Sequence, residues 1–410
     1  MSENGKHPAK HTMSDLYQMQ GLSLDMKIKM TKRRIAEWDE YWGGCTAVSF
    51  SGGKDSTVLL HIARQVRPDM KAVFFDTGME LPCIKRFVRT FENVDIIKPK
   101  MTFPQVVKEY GYPVVSKETA MVIEYSKKTI DKHREQLETE HGGNGNYREL
   151  NIYAAKQHYY NSRLEDVSVM HEYEINIQKK EGVNLSSKYN SHKWKFMLDA
   201  PFNVSSKCCS VMKKSPAHQY EKETGIKPIQ AIMASESMRR ASSWLKNGCN
   251  GFDMGEPRSI PMAFWTEKDV LAYIYKYKIP IAEAYGDVVR IGGSDNYDQL
   301  ELFDLESPIF ETTKAKRTGC YTCGFGIHLD KSPTRLELLE PQLRDVTLKG
   351  GRFENGLWVP YKGFGFYFVY KWMNVHGNLN IIIPDEDKYY DALPEEAKKM
   401  LSRDDKKWME

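Results

Sequence analysis

The segment AVSFSGGKDS, residues 47–56, decides the fold of this chain. Its first half has the pattern of a short apolar strand, and the segment TVLLHIA that follows has the pattern of a helix. Gly52 and Gly53 permit a sharp turn in which backbone N–H groups and the N-terminus of the next helix point at one anion. We therefore predict a phosphate-binding turn, with an ordinary strand-to-helix turn as the alternative.

The side chains of this turn suit a polyphosphate. Lys54 offers a compact positive charge, while Ser51 and Ser56 can donate hydroxyl hydrogen bonds. Asp55 needs a different explanation, because a carboxylate beside a polyphosphate is repelled unless a cation bridges the two. We therefore predict ATP with Mg²⁺, the metal being held jointly by Asp55 and the phosphates. The turn matches neither GxGxxG nor GxxxxGK[ST], which excludes both of those phosphate-binding fingerprints.

Short apolar strands alternate with helical stretches around this turn, which predicts an α/β fold with a parallel, Rossmann-like sheet and flanking helices. Ligands of such sheets bind outside the carboxyl ends of the strands, where the turn and Asp76-Thr77-Gly78 both fall. Asp76 is a candidate for the ribose, the adenine edge or the metal, or is a turn aspartate that caps the next helix. The strands are predicted at 47–50, 72–75, 94–97 and 228–234, and the helices at 55–67, at 82–91 and after Thr266, an N-cap with Asp269 at the third helical position.

The chain is predicted to have three parts. Residues 1–40 form an N-terminal helical segment with a basic helical pattern over 13–38. Residues 41–345 form the sheet domain, which carries a mostly helical, highly charged insertion at about 122–200. Residues 346–410 form an extension rich in aromatic residues. Its apolar stretch WVPYKGFGFYFVYKWM is too short and too interrupted by glycine to span a membrane and is expected to pack against the protein.

The composition limits the partners. Hydrophobic residues make up 41% of the chain and charged residues 28%, as in a globular protein. No apolar run approaches the ~20 residues that span a bilayer, and the polar N-terminus lacks the core of a signal peptide. We expect a cytoplasmic protein with no membrane partner. The net charge of +4 does not require a nucleic-acid partner.

The insertion leaves a nucleic-acid partner open. Several of its tyrosines lie beside cations in the sequence, and aromatic rings beside cations can stack bases. Tyrosines in the core or at an interface of an amphipathic helix produce the same pattern. The residues concerned are Tyr153, Lys156, Tyr159, Tyr160 and Arg163.

The seven cysteines indicate metal or redox chemistry, because an odd number in a chain without a signal peptide argues against a disulfide framework. Cys208 and Cys209 are adjacent, and Cys320 and Cys323 form CYTC. Four such thiolates can hold a [4Fe–4S] cluster or Zn²⁺. The cluster is favoured because it offers each sulfur its own iron; zinc and uncoordinated thiols are the alternatives. The remaining cysteines are expected to be buried and structural: Cys45, Cys83 and Cys249.

Three segments carry a resemblance to a known family. SFSGGKDS at 49–56, VFFDTGMELP at 73–82 and IPMAFWTEKDVLAYIYKYKIPI at 260–281 together resemble the phosphoadenosine phosphosulfate (PAPS) reductase family, over roughly residues 40–345. This family is a branch of the PP-loop, adenine nucleotide alpha-hydrolase-like superfamily. The resemblance implies an adenine nucleotide at the turn and after the second strand, bound by Ser51, Gly52, Gly53, Lys54, Asp55, Ser56, Asp76, Thr77 and Gly78.

A further motif of that family, GxRxxES, is only partly present. In AIMASESMRR, Glu236, Ser237 and Arg240 match and are implied nucleotide-side residues. Ala231 and Met233 stand where glycine and arginine are usual, so the sulfate or distal phosphate lacks its usual arginine. Arg240 or its neighbour Arg239 could replace that charge, or could simply lie on the surface.

The resemblance also bears on the reaction. Reductases of the family use a nucleophilic cysteine in a C-terminal segment, whereas this chain has no cysteine after Cys323. An intact SGGxDS accompanies enzymes that cleave ATP between its α and β phosphates. We therefore predict an ATP pyrophosphatase or adenylyl-transferring enzyme in sulfur metabolism, with Lys54, Asp55 and Arg240 as catalytic residues and a sulfur donor or protein partner. The alternatives are a sulfonucleotide reductase that uses an external thiol and a non-catalytic nucleotide-binding regulator.

Overall fold

The computed structural model describes residues 10–132, 192–292 and 308–401. None of the helices in these ranges is both long enough and apolar enough to cross a membrane. The chain forms two compact units, Met1–Lys100 with Lys213–Cys320 and Met101–Met212 with Tyr321–Glu410. These units divide the chain differently from the three parts expected from the sequence.

Strands and helices are short throughout the described ranges. The strands are β1 Thr46–Ser49, β2 Lys71–Phe75, β3 Val94–Ile97, β4 Val114–Val115, β5 Lys227–Ile229, β6 Asn250–Gly251, β7 Arg258–Ser259, β8 Val288–Gly292, β9 Ile309–Thr312, β10 Gly324–Phe325, β11 Arg352–Glu354 and β12 Leu357–Val359. The α-helices are α1 Met13–Gln20, α2 Leu24–Tyr41, α3 Lys54–Val66, α4 Pro82–Val88, α5 Phe103–Tyr110, α6 Lys117–Lys132, α7 Ser215–Thr224, α8 Met238–Asn247, α9 Glu267–Tyr277, α10 Pro341–Leu348, α11 Phe366–Gly377, α12 Glu386–Asp391 and α13 Glu395–Leu401.

The first unit is built on a six-stranded sheet in the order β3-β2-β1-β5-β7-β6. Strand β1 lies between β2 and β5 and pairs with both in parallel, β3 extends the sheet in parallel beyond β2, and only β6 runs antiparallel to its neighbour. This arrangement confirms the predicted α/β fold with a mostly parallel, Rossmann-like sheet. The strands predicted at 72–75 and 94–97 agree with β2 and β3 to within one residue.

The N-terminal helices share the hydrophobic core of this sheet. The apolar stripe of α2, including Ile35 and Trp38, packs in one cluster with Val58 and Ile62 of α3, and all four side chains are buried. The helical pattern predicted over 13–38 forms two helices, because Gly21 ends α1 and the Ser23 side chain accepts the Met26 N–H to begin α2. The helix predicted after Thr266 is confirmed as α9, and Thr266 and Asp269 form its capping box.

The strand predicted at 228–234 is also shorter than expected. Strand β5 ends at Ile229, because the next residues turn into local structure: the Ile232 N–H donates to the Gln230 carbonyl, and a 3₁₀ turn follows at Ala234–Glu236. This early end to the strand leaves Glu236 on a turn that begins close to the carboxyl edge of the sheet.

The second unit has an aromatic core. The C-terminal extension is packed there as predicted: Phe366 and Phe368 of α11 are buried, and Trp372 stacks on Phe196 and meets the edge of Phe202. Strands β4 and β10 pair in parallel in this unit, while β11 and β12 form a hairpin. Most of the predicted insertion lies outside the described residues, and so do its tyrosines and cations, 153–163.

The turn between β1 and α3 depends on glycine at position 52. Gly52 has φ +70°, and a Cβ atom there would lie 2.8 Å from methyl carbons of both Ile84 and Val88 on α4. Gly78 also has a positive φ, +81°, but a Cβ atom at Gly78 would meet nothing within 4 Å. A side chain at position 52 would therefore cause backbone strain and also collide with helix α4, whereas a side chain at position 78 would cause the strain alone.

We expect Gly52→Ala to lower the free energy of unfolding by about 2–4 kcal/mol, because overpacking adds to the strain of a left-handed residue. Gly78→Ala is the matched control and should cost only about 1–2 kcal/mol, the strain alone. Urea denaturation followed by circular dichroism measures both. Equal losses for the two variants would show that the contact with α4 contributes nothing.

Candidate active site

A cavity of about 340 Å³ opens in the first unit, beside the carboxyl ends of β1 and β2. One part of its wall is apolar and is formed by Phe50, Val73, Phe74 and Ile84, with Phe75 beside them. The rest is polar and mixes acids with bases. These polar and small residues are Ser49, Ser51, Gly53, Lys54, Asp55, Glu80, Lys213, Glu236, Tyr285, Arg317, Thr318 and Gly319.

Hydrogen bonds between its own serines hold the predicted phosphate turn closed. The hydroxyls of Ser51 and Ser56 lie 3.0 Å apart, and the Ser51 N–H donates to Ser56 Oγ over 3.2 Å. Ser56 Oγ also donates to the carbonyl of Gly53, the N-cap of α3. Ser51 and Gly53 line the cavity. Gly52 and Ser56 are not part of the cavity wall and contribute to the shape of the turn. The turn is therefore organised before any ligand binds.

Lys54 is the buried cation of the site. Its side chain is 3% exposed, and Nζ donates to the Lys316 carbonyl over 3.0 Å. The same Nζ lies 3.2 Å from a carboxylate oxygen of Glu267, the first residue of α9, and 5.7 Å from the centre of the Tyr285 ring. Lys54 thus joins the turn to α9 and to the segment at 314–319.

Asp55 carries an unsatisfied oxygen. Its Oδ1 is buried without a hydrogen-bond partner and lies 3.7 Å from Lys54 Nζ. Burial raises the pKa of Asp55 above its ordinary value, and the carboxylate of Glu267 raises it further, while the charges of Lys54 and Arg317 oppose the shift. A buried carboxylate oxygen with free lone pairs has the chemistry of a Mg²⁺ ligand. The residues present therefore fit the predicted metal.

The segment after β2 presents Glu80 to the cavity rather than Asp76, Thr77 or Gly78. Asp76 accepts the Gly78 N–H over 3.0 Å and pairs with Lys85 at 3.0 Å. Burial alone would raise the pKa of Asp76, but these two partners outweigh it and the pKa lies below its ordinary value. Thr77 donates through its N–H and its hydroxyl to the Glu80 carboxylate, which it fixes in the cavity wall.

The partial GxRxxES motif forms a three-residue charge cluster. Glu236 pairs with Arg240 one turn along the chain, and its other carboxylate oxygen lies 3.7 Å from the Arg317 guanidinium. Glu236 and Arg317 line the cavity, whereas Ser237 and Arg240 do not. Ser237 instead is the N-cap of α8 and accepts the Arg240 N–H. Burial lowers the pKa of Arg240, and the positive charge of Arg317 lowers it further.

Within the described ranges, the four cysteines predicted to hold a cluster form no disulfide, and each is partly exposed. Cys208, Cys209 and Cys323 belong to the second unit, and Cys320 is the last residue of the first. Burial raises the pKa of the Cys323 thiol, the Phe325 N–H opposes that shift, and the nearby Cys209 raises the pKa further. Among the described residues no group of three or more His, Cys, Asp or Glu could hold a metal ion. Thiolates are the ligands that an iron–sulfur cluster needs, and the cluster stays a prediction.

The other cysteines do not share one environment. Cys249 is buried, as expected, and burial raises the pKa of its thiol. Cys83 is only partly buried. The expectation that Cys45 is buried was wrong: it is exposed, because it follows the Gly43-Gly44 turn that leads from α2 into β1.

Sequence reasoning missed several residues of the cavity wall. Glu80, Tyr285, Arg317 and Thr318 all line it. Arg317 had a signal, since the basic run KAKR at 314–317 lies just before CYTC. Glu80 is held locally by Thr77, and Tyr285 reaches the cavity through the fold, but no local pattern marks either as a wall residue.

Comparisons with known proteins show what this chain is similar to. The sequence profile of the phosphoadenosine phosphosulfate reductase domain matches residues 46–138 and 152–324. An adenosine 5'-phosphosulfate reductase of Staphylococcus epidermidis is 21% identical over 302 residues, which cover 70% of this chain and 81% of that protein. An uncharacterized protein of Methanocaldococcus jannaschii is 31% identical over 96 residues, 21% of this chain and only 23% of the relative. The solved structure of a PAPS reductase from Candida auris in a phosphate complex aligns with a TM-score of 0.31 at 13% identity, covering 68% of this chain and 92% of the other.

We expect Asp55→Asn to stabilise the protein near pH 7 by roughly 1 kcal/mol, because the variant no longer buries an ionised carboxylate. Folding raises the pKa of Asp55, so the ionised carboxylate destabilises the folded wild-type protein. This destabilisation is absent below the unfolded-state pKa of about 4 and complete above the folded-state pKa. The stabilisation by Asp55→Asn should therefore disappear as the pH falls toward 3. Urea denaturation at a series of pH values measures it.

Asp95→Asn is a control of opposite sign. A hydrogen bond from Tyr220 and one from Lys71 lower the pKa of Asp95. Its replacement should therefore destabilise the protein at neutral pH, and this loss should fade in acid as the wild-type carboxylate becomes protonated. A stabilisation by Asp55→Asn that did not change with pH would contradict the proposed origin in the ionised carboxylate.

Proposed function

This chain belongs to the phosphoadenosine phosphosulfate reductase family, an enzyme family of sulfur metabolism, and on that premise we propose that its cavity binds ATP with Mg²⁺ and cleaves it between the α and β phosphates. The observation that carries the proposal is the buried Oδ1 of Asp55, which has no hydrogen-bond partner and lies beside Lys54. A buried carboxylate next to phosphates costs free energy through desolvation and charge repulsion, and a bound metal ion would offset this cost.

The roles of the residues follow from their positions. Lys54 and the N–H groups at the start of α3 bind the phosphates, and the closed turn keeps these donors aimed at one point. Asp55 holds the metal, which would neutralise charge on the departing pyrophosphate. An acceptor oxygen attacks the α-phosphorus, the α–β bridging bond breaks, and pyrophosphate leaves with its electron pair while the acceptor gives up a proton. The products are pyrophosphate and an adenylylated acceptor, which is activated for displacement by a sulfur nucleophile.

The apolar part of the wall supports an adenine ring as the rest of the ligand. Phe50, Val73 and Ile84 line it. The cavity volume of about 340 Å³ lies in the range of small-molecule pockets. A flat aromatic base against this wall leaves the phosphates to the polar side, where the turn lies.

We also propose that Cys208, Cys209, Cys320 and Cys323 hold a [4Fe–4S] cluster, with Zn²⁺ as the alternative occupant. The support is the thiol chemistry of this set and the electrostatic proximity of Cys209 and Cys323. A bound cluster would supply electron transfer or a site that carries sulfur to the activated acceptor.

One observation favours a second function. The match to an adenosine 5'-phosphosulfate reductase extends over 302 residues. The second candidate is therefore reduction of a sulfonucleotide to sulfite, with an external thiol in place of a cysteine after Cys323.

We expect the wild-type protein to release pyrophosphate from Mg-ATP and Asp55→Asn to lower kcat by about 100-fold or more, because the variant loses the metal ligand. A coupled pyrophosphate assay measures this on anaerobically purified protein. Asp69→Asn is the control, since Asp69 is 84% exposed and does not line the cavity.

The same preparation separates the two candidates. Sulfite formed from adenylylsulfate with added thioredoxin or glutathione, without pyrophosphate from ATP, would favour the reductase. Binding of ATP without turnover of either nucleotide would leave the non-catalytic regulator. Pyrophosphate release that Asp55→Asn does not reduce would contradict the role given to Asp55.

We expect anaerobically purified protein to contain about four irons per chain, the content of one [4Fe–4S] cluster, with absorbance near 400 nm. Cys209→Ser and Cys323→Ser should each remove most of the iron, whereas Cys45→Ser should not, since Cys45 is not one of the proposed ligands and its thiol donates to the Thr224 carbonyl. Metal analysis by mass spectrometry provides the measurement. One zinc per chain in place of iron would support the alternative occupant, and full metal content in Cys209→Ser would exclude this set of ligands.

A further inference from the structure

The partial GxRxxES motif leaves a charge unaccounted for. Where the GxRxxES motif has arginine, this chain has Met233, and that side chain is only 2% exposed. Position 233 therefore cannot supply a positive charge to the cavity. Arg240 carries a charge nearby, but it pairs with Glu236 and lies outside the cavity wall.

Arg317 lies in that wall instead. One nitrogen of its guanidinium lies 3.7 Å from a Glu236 oxygen, beyond direct hydrogen-bonding distance. The side chain is 63% exposed, whereas that of Glu236 is 15% exposed. A long side chain with so loose a tether can turn toward an anion in the cavity with little loss of contacts.

The backbone that carries Arg317 is held firmly. The Lys316 carbonyl accepts a hydrogen bond from Lys54 Nζ, and Thr318 Oγ1 lies 2.6 Å from the hydroxyl of the buried Tyr285. The Lys314 N–H donates to the Tyr285 carbonyl over 3.1 Å. The predicted phosphate-binding lysine itself therefore fixes the segment from which Arg317 projects.

The charges of the cluster also favour an anion. Glu236 is one carboxylate between two guanidinium groups, and the nearby Asp55 carboxylate, the proposed metal ligand, offsets part of their positive charge. The mutual repulsion of the arginines is relieved when one of them engages another anion. Arg317 is the one whose side chain lines the cavity.

We infer that Arg317 replaces the arginine absent at position 233 and binds the anionic group of the ligand beyond the α-phosphate. The ligand class is a nucleotide, or a free polyanion, with at least two linked anionic groups. This inference rests on the proposed nucleotide site, because it identifies one more residue of that site. Arg317 thereby forms the second contact of a clamp whose first contact is Lys54.

Isothermal titration calorimetry with Mg-ATP, adenosine and inorganic pyrophosphate tests the inference. We expect Arg317→Gln to weaken Mg-ATP and pyrophosphate binding by about 10- to 100-fold, the range for loss of a charge-assisted hydrogen bond. Adenosine affinity should change by less than about 3-fold, and Arg317→Lys should restore part of the loss for the anions. Arg86→Gln is the matched control, because Arg86 is 66% exposed and pairs with Glu283 at 3.2 Å outside the cavity wall.

Each other outcome has a distinct meaning. Equal loss of adenosine and Mg-ATP by Arg317→Gln would mean that Arg317 supports the fold of the site, and a larger loss in Arg240→Gln would make Arg240 the anion contact. Either result overturns the inference. A wild-type protein that binds pyrophosphate through Arg317 but no adenosine or ATP would overturn the proposed function and uphold the inference. Absence of binding by all three probes would overturn both.

Discussion

The buried side chain of Lys54 is the interaction on which the site depends. An ammonium group that is 3% exposed must satisfy its donors inside the protein, and it does so with the Lys316 carbonyl and the Glu267 carboxylate. These partners lie more than 200 residues away in the chain, in the segment before Cys320 and at the start of α9. One charge therefore brings three separate segments to the end of β1. A neutral residue at position 54 would leave Glu267 and Asp55 without their common counter-charge.

Helix α9 is held from its other side by a second buried lysine. Lys27 of α2 is 2% exposed and reaches both oxygens of Asp269, at 2.8 and 2.7 Å. Asp269 also accepts the Thr266 N–H that begins the helix. Helix α2 therefore fixes α9, the helix whose first residue, Glu267, pairs with Lys54. Such a pair stabilises little by itself, but removal of one partner would leave a buried charge.

The sequence allows the sheet and the turn to be predicted because both depend on local pattern. Strands and helices near the turn have their own periodicity, and the positive φ of Gly52 belongs to a local turn that glycine marks in the sequence. Arg317, Glu80 and Tyr285 are different, since tertiary contacts bring them to the cavity. The basic run KAKR points to Arg317, but no local pattern distinguishes Glu80 or Tyr285 from surface residues. Asp76 shows the converse: its position after β2 is predictable, but its partners Gly78 and Lys85 are not.

With the role proposed for Arg317, its contrast with Met233 illustrates a general constraint on anion sites. A phosphate or sulfate group requires a positive charge at a point in space, and the position of that charge in the sequence is immaterial to Coulomb's law. Met233 is buried where a charge would be costly without a partner, whereas Arg317 projects from a segment that Lys54 already holds. The buried Lys54 and the exposed Arg317 are therefore coupled through the Lys316 backbone carbonyl. A motif that is incomplete in sequence can in this way be complete in its electrostatics.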